Sequence, residues 1–168
     1  MDTKANPMSR SEIQKLALEI RKIANTGEHL PFPILRFLEG FQEPLEIDIY
    51  VLPDSELDNC YAKTNSSLSE IQISESTYDG AANGNPRDTF TLAHEFGHYL
   101  MHTPSRISFA RGTFIKAYEN PEWQANTFAG ELLAPSKYIK KELSDEQIAS
   151  QYGVSLSVAR IQKSHAKY

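Results

Sequence analysis

Ile13, Leu16, Ala17, Ile20, Ile23 and Ala24 recur at three- and four-residue spacing, which predicts an amphipathic helix over residues 9–25. Ser9 and Glu12 stand at the spacing of a capping box, and Gly27 is placed to end that helix. Pro31 and Pro33 lead into a shorter helix over 34–39. The period then changes. Residues 45–52, Leu-Glu-Ile-Asp-Ile-Tyr-Val-Leu, alternate apolar and polar positions and give the strongest strand signal of the chain. Residues 59–64 and 70–74 are weaker strands joined by the polar turn Asn65-Ser66-Ser67, which predicts a hairpin beside the first strand. Residues 77–85, rich in Gly, Ala and Asn, read as a loop.

Two helices then open in the same way. Asn85-Pro86 and Asn120-Pro121 each place a capping Asn before a proline at the first helical position. The first helix is expected over 86–102, ending before Pro104, and the second over 121–133, ending before Pro135. Ser144 with Gln147 caps a helix to about residue 152, Gly153 makes a turn, and Ser155 caps a last helix toward Ala166. With no repeat and no linker, the expected division is a tail over 1–8, one domain over 9–142, and a helical pair over 143–168 packed on it. The fold class is α+β, with a three-stranded sheet.

The chemistry is concentrated in His94-Glu95-Phe96-Gly97-His98. Residues i and i+4 of a helix lie ~40° apart in rotation and ~6 Å apart along the axis, so both imidazoles can reach one ion. Glu95 projects beside them and can serve as general base on an attacking water. With 5 His and 15 Glu in 168 residues, chance supplies only about 0.01 such patterns. Phe90, Leu92, Ala93, Phe96, Leu100 and Met101 make the helix largely apolar, where a carboxylate and two histidines need a partner. Zn²⁺ is the expected ion, although the same donors accept Mn²⁺.

Catalytic zinc takes three protein ligands, so a carboxylate from another helix is required. Glu122 is the leading choice, with Glu119 and Glu131 as rivals; Glu119 precedes the helix and Glu131 points ~180° away from Glu122. Asn126, one turn after Glu122, can accept the second ring N–H of a ligand histidine. Ala93 and Gly97 on one helix, and Ala129 and Gly130 on the other, would let the two approach closely. His102 lies ~12 Å along the axis from His94 and cannot share its ion, so it is read as supporting a ligand or packing. Met101 and Pro104 occupy the positions where the metzincin pattern needs Gly and His. For the donor that stabilises an oxyanion, Tyr61 and His102 rank first, followed by Tyr78 and Arg111.

A formal charge of −5 argues against a nucleic-acid surface as the main feature. The absence of a long apolar stretch or apolar leader, together with the single Cys60, leads to a cytoplasmic, membrane-free expectation. Cys60 is read as a packing residue. The tail has Ala149, Gly153, Val154 and Val158 at helix-turn-helix packing positions, and Arg160, Lys163 and Lys167 on its second helix. A DNA-binding regulator containing a metal is therefore the main alternative, and a component of a toxin–antitoxin-like pair is another. Direct DNA binding is not expected, because the first helix of the pair is acidic and one such unit binds weakly alone.

The block Thr89-Phe-Thr-Leu-Ala-His-Glu-Phe-Gly-His-Tyr-Leu-Met-His102, followed by Glu122-Trp-Gln-Ala-Asn-Thr-Phe-Ala-Gly-Glu-Leu-Leu-Ala-Pro135, resembles the ImmA/IrrE family of metallopeptidases. The likeness extends over roughly residues 45–165. It implies a small gluzincin-like, helical zincin fold, with His94, His98 and Glu122 as ligands and Glu95 as base. It also implies a regulatory protease that cleaves a helix-turn-helix repressor, often encoded beside it in phages and mobile elements. Removing residues 143–168 is expected to spare the metal site and impair recognition of a protein partner. Many members carry an arginine immediately before the Phe-Thr-Leu-Ala-His block; here Thr89 holds that place, with Arg87 two residues earlier.

Overall fold

The computed structural model describes residues 3–102, 107–109 and 115–168. Among them run β1 (Thr3–Ala5), α1 (Arg10–Ile23), α2 (Ile34–Gly40), α3 (Gln42–Leu45), β2 (Asp48–Leu52), β3 (Ala62–Asn65), β4 (Glu70–Ser74), α4 (Glu75–Ala82), α5 (Pro86–Met101), β5 (Ile107–Phe109), α6 (Pro121–Leu133), α7 (Asp145–Tyr152) and α8 (Leu156–His165). The α+β class is as expected.

Helix α6 is the axis of the molecule, packed between α1 and α5. The α1 stripe Ile13, Ala17 and Ile20 is buried, as are Leu92, Ala93 and Phe96 of α5. From α6 itself Ala125, Phe128, Ala129 and Leu132 are fully enclosed. A helix apolar on nearly every side is a central one. Buried Arg21 of α1 donates to the Leu132 carbonyl at 2.7 Å, so its cation meets the negative end of the α6 dipole. Asn85 accepts from the Arg87 and Asp88 amides, and Asn120 from the Trp123 amide. Each such cap contributes about 0.5–2 kcal/mol and fixes where α5 and α6 begin.

The sheet runs β2-β4-β3, with β4 parallel to β2 and antiparallel to β3. The hairpin forms as read, but the weaker strand β4 takes the centre, with Ile71 and Ile73 fully buried. The strongly alternating β2 is an edge strand on which Tyr50 and Val51 are exposed, and it is shorter than expected because Leu45 ends α3 and Glu46 is left-handed. Alternation reports one wet face, so it marks an edge more clearly than a centre. Of the loop expected over 77–85, residues 77–82 are helical and only 83–85 connect α4 to α5. Ser74 caps α4, and Gly80 within it lets α4 meet α5, since a Cβ there would collide with the Asp88 carboxylate. Helix α1 ends at Ile23 and is closed by left-handed Asn25 rather than by Gly27. Asn25 takes φ of 52°, while Thr26 and Asn25 donate to Arg21 and Lys22 in a Schellman arrangement.

Strand β1 pairs antiparallel with β5, an element pair that the pattern does not announce. At the other end, Gly153 makes the left-handed turn between α7 and α8 at φ 67°. Ile148, Tyr152, Val154 and Ala159 of this pair belong to the main core, so removing it would open that core. Cys60 is exposed, so it does not pack inside. No helix among the described residues is long and apolar enough to cross a membrane.

Candidate metal centre

α5 and α6 cross where Gly97 faces Ala125 and Phe128, with a hypothetical Gly97 Cβ only 2.9 Å from the Phe128 ring. That close approach brings Glu122, in the first turn of α6, against the histidines of α5. Gly130 serves a different contact from the one expected of it. Its missing Cβ admits Gln162 of α8, not α5.

His94 Nε2 and His98 Nε2 lie 3.0 Å apart. Glu122 Oε2 is 3.2 Å from the first, and Glu122 Oε1 is 3.0 Å from the second. A tetrahedral Zn²⁺ with bonds of ~2.0–2.1 Å separates its ligand atoms by ~3.3 Å, and two ring nitrogens 3.0 Å apart, spanned by a carboxylate with one oxygen against each, make a donor set of that size. Among the described residues these three form the group able to hold a metal ion. Glu122 keeps 66% of its side chain exposed, so the centre opens to solvent on that side.

The neighbours hold each donor. Asn126 Oδ1 lies 2.8 Å from His94 Nδ1, which ties that ring to α6. His98 Nδ1 lies 2.8 Å from His102 Nδ1, and His102 Nε2 lies 2.8 Å from Gln124 Oε1. Burial, then His94 and His102, push the His98 imidazole down to about 3, which favours the neutral ring that can ligate. Burial likewise holds His102 below the ordinary histidine value, against the Gln124 hydrogen bond.

Glu95 points into the sheet side of the cleft. Thr64 Oγ1 on β3 is 2.7 Å from Glu95 Oε2 and 2.9 Å from the Glu95 carbonyl oxygen, so its one proton is shared between them. Burial raises Glu95 above the ordinary carboxylate range, partly offset by the Thr64 hydrogen bond and nearby His94. A carboxylate tuned upward in this way suits a group that must accept and return a proton.

The rival carboxylates are occupied elsewhere. Glu131 is fully buried and bound by Arg10, Gln14 and Ser136, while Glu119 pairs with Lys4 at 2.9 Å. His102 has both ring nitrogens engaged and is only 2% exposed, which leaves it supporting His98 and not facing an oxyanion. Tyr61 is half exposed beneath the Arg87 guanidinium, 4.7 Å from the ring centroid. Tyr78 donates to Glu39 at 2.6 Å. Arg111 lies outside the described residues. Sequence reasoning passed over Gln124 and Thr64. Gln124 falls off the Glu122–Asn126 face, and nothing local links β3 to Glu95.

Residues 81–162 match the peptidase M78 family, described as the IrrE N-terminal-like domain. An immunity region protein 2 of Bacillus phage phi105 is 34% identical over 77 residues, covering 44% of this chain and 49% of that one. A Mycobacterium tuberculosis transcriptional regulator of solved structure superposes with a TM-score of 0.61 at 12% identity, over 93% of this chain and 47% of that one. The latter likeness is one of fold, and the chain spans about half the length of either relative. The matched residues 81–162 carry both the His94–His98 pair and Glu122, so the likeness to the IrrE N-terminal-like domain family of peptidases covers the candidate centre.

Proposed function

We propose that the chain is a zinc-dependent metalloendopeptidase that cleaves a protein partner, a helix-turn-helix repressor. The observation that carries this reading is the convergence of His94, His98 and Glu122 at 3.0–3.2 Å beside an upward-tuned Glu95. Zn²⁺ held there would supply a Lewis acid for the scissile carbonyl and acidify water. Mn²⁺ suits the same donors. Thr64 holds one oxygen of Glu95, which leaves the other to take the proton of the attacking water and return it to the leaving amine. Asn126 orients His94. Tyr61 is the retained choice for an oxyanion donor.

Strand β3 is the edge strand of the sheet whose Thr64 touches Glu95, β2 being the other edge. An extended substrate pairing with that edge would lie across the centre. Edge pairing reads little sequence, so selectivity has to come from docking elsewhere. The repressor assignment is supported by the immunity-region relative and by the exposed side of α8. Binding of DNA through α8 is disfavoured, because Arg160 pairs with Asp145 and Lys163 Nζ donates to the Leu143 carbonyl.

The test is Glu95→Gln with a repressor encoded beside the gene as substrate. The variant should keep one ion per chain by metal analysis and lose cleavage, whereas cleavage at the wild-type rate would overturn the mechanism. Rapid digestion of casein by the wild type would instead indicate a general peptidase.

A further inference from the structure

Gln124 is buried on α6, turned away from the centre and toward the N-terminal segment. Its Nε2 lies 2.8 Å from the Asn6 carbonyl oxygen and 2.7 Å from the Tyr118 carbonyl oxygen. Backbone carbonyls only accept hydrogen bonds, so both amide protons point at them. Turning the amide over would set its oxygen against two others, which fixes an orientation that is otherwise ambiguous. Gln124 Oε1 therefore faces His102 Nε2 and accepts, so the proton of that nitrogen is placed. Both nitrogens of buried His102 meet neutral groups, which makes the ring neutral and leaves Nδ1 bare.

The bare His102 Nδ1 can only accept from His98 Nδ1, 2.8 Å away. His98 then carries its proton on Nδ1, and its Nε2 presents a lone pair to the position shared with His94 and Glu122. Each link permits one arrangement, beginning from two peptide carbonyls. Reversal of the Gln124 amide would reverse every proton in turn and leave His98 Nε2 protonated, unable to ligate. The anchor is itself tied down. Met8 N also donates to the Tyr118 carbonyl at 2.9 Å, and Lys4 pairs with Glu119.

We propose that Gln124 and His102 are positioning residues that set the His98 tautomer for metal binding, with the Asn6 and Tyr118 carbonyls as the fixed end of the relay. This rests on the reading of His98 as a ligand, and the test separates the two. In the metal-free full-length protein, ¹⁵N–¹H correlation of the imidazoles should show His98 and His94 protonated on Nδ1, and His102 on Nε2. In Gln124→Leu the His98 and His102 patterns should become mixed, while His94, held by Asn126, keeps its own.

Titration with Zn²⁺ against a competing chelator should show His102→Phe binding about 10–100-fold more weakly than wild type, the range typical for a group supporting a ligand histidine. His102→Asn places an oxygen near the Nδ1 position and should recover most of that loss. A wild-type His98 protonated on Nε2, or His102→Phe binding Zn²⁺ as tightly as wild type, overturns the relay. Wild-type protein that shows the assigned tautomers yet takes up no Zn²⁺ overturns the metal centre itself, and the relay's role with it. The wild-type spectrum needs no substitution, so the assignment is decided even where a variant fails to fold.

Discussion

Gly97→Ala tests whether the α5–α6 approach holds the centre together. The added methyl would stand 2.9 Å from Phe128 Cδ1 and 3.4 Å from Ala125 Cα. Phe128 is fully enclosed, with its ring against Phe96, so it has little room to retreat. Overpacking of this kind costs about 1–3 kcal/mol. Replacing a mid-helix glycine returns up to ~1 kcal/mol of helix propensity. With the full offset the net loss is about 0–2 kcal/mol, which for a chain of this size lowers Tm by up to about 8 °C. Gly130→Ala is the matched control. It meets Gln162 Oε1 at 2.7 Å, an atom pinned by Arg10, and so carries a similar fold penalty. It lies eight residues, or ~12 Å along α6, from Glu122 and faces α8. Both variants should melt lower in calorimetry. Only Gly97→Ala should also weaken Zn²⁺ binding, by ~10-fold or more, the scale of a disturbed supporting shell. Equal loosening of the ion by the two variants, or a Gly97→Ala protein unchanged in both measurements, would refute the reasoning.

Glu122→Ala should lose the ion in metal analysis after dialysis, whereas Asn126→Ala should retain it with about 10–100-fold lower affinity. Tyr61→Phe should lower kcat on the protein substrate while ion content stays at one per chain; unchanged turnover removes Tyr61 from the oxyanion role. Acid should destabilise the metal-free protein. His98 titrates near 3 when folded and near ~6.5 when unfolded, so between those values the unfolded chain binds more protons. Its stabilising contribution is whole above about pH 6.5 and falls as pH drops toward 3; urea midpoints at pH 7.5 and 5 should therefore differ less in His98→Asn than in wild type.

The helices that carry the centre were legible because their signals are local. A capping Asn, a proline at the first helical position and an i, i+4 histidine pair lie within a few residues of one another. That Glu122 and not Glu131 meets the two histidines also followed from rotation about one helix axis. What escaped depends on partners distant in sequence. α4 reads as a loop because Gly80 weakens a helix in isolation, and the reason for it is Asp88 on the next helix. β4 is short, yet pairing with β2 along one edge and β3 along the other makes it central, and its pairing with β2 is not local in the pattern. Gln124 looks like an ordinary buried amide until Asn6 and Tyr118 are brought to it across 118 and 6 residues of chain. Thr64 became informative only once β3 was placed against α5.

Function and fold meet on the same short helix. Over five positions of α6, Glu122 faces the ring nitrogens of His94 and His98, Gln124 faces His102, and Asn126 faces the ring of His94. At its far end Glu131 is locked by Arg10, Gln14 and Ser136, and Gly130 receives Gln162, which in turn binds Arg10 and the Ala134 carbonyl. The C-terminal pair is therefore wired to the helix that presents Glu122, and cutting it away would confound loss of recognition with disturbance of the candidate centre. Recognition is better read from the outward side of α8, where Leu156 and Ile161 are 47% and 53% exposed. Polar replacements there remove apolar surface without entering the core. A change in cleavage of the repressor by such a variant, with ion content and Tm intact, would belong to docking alone.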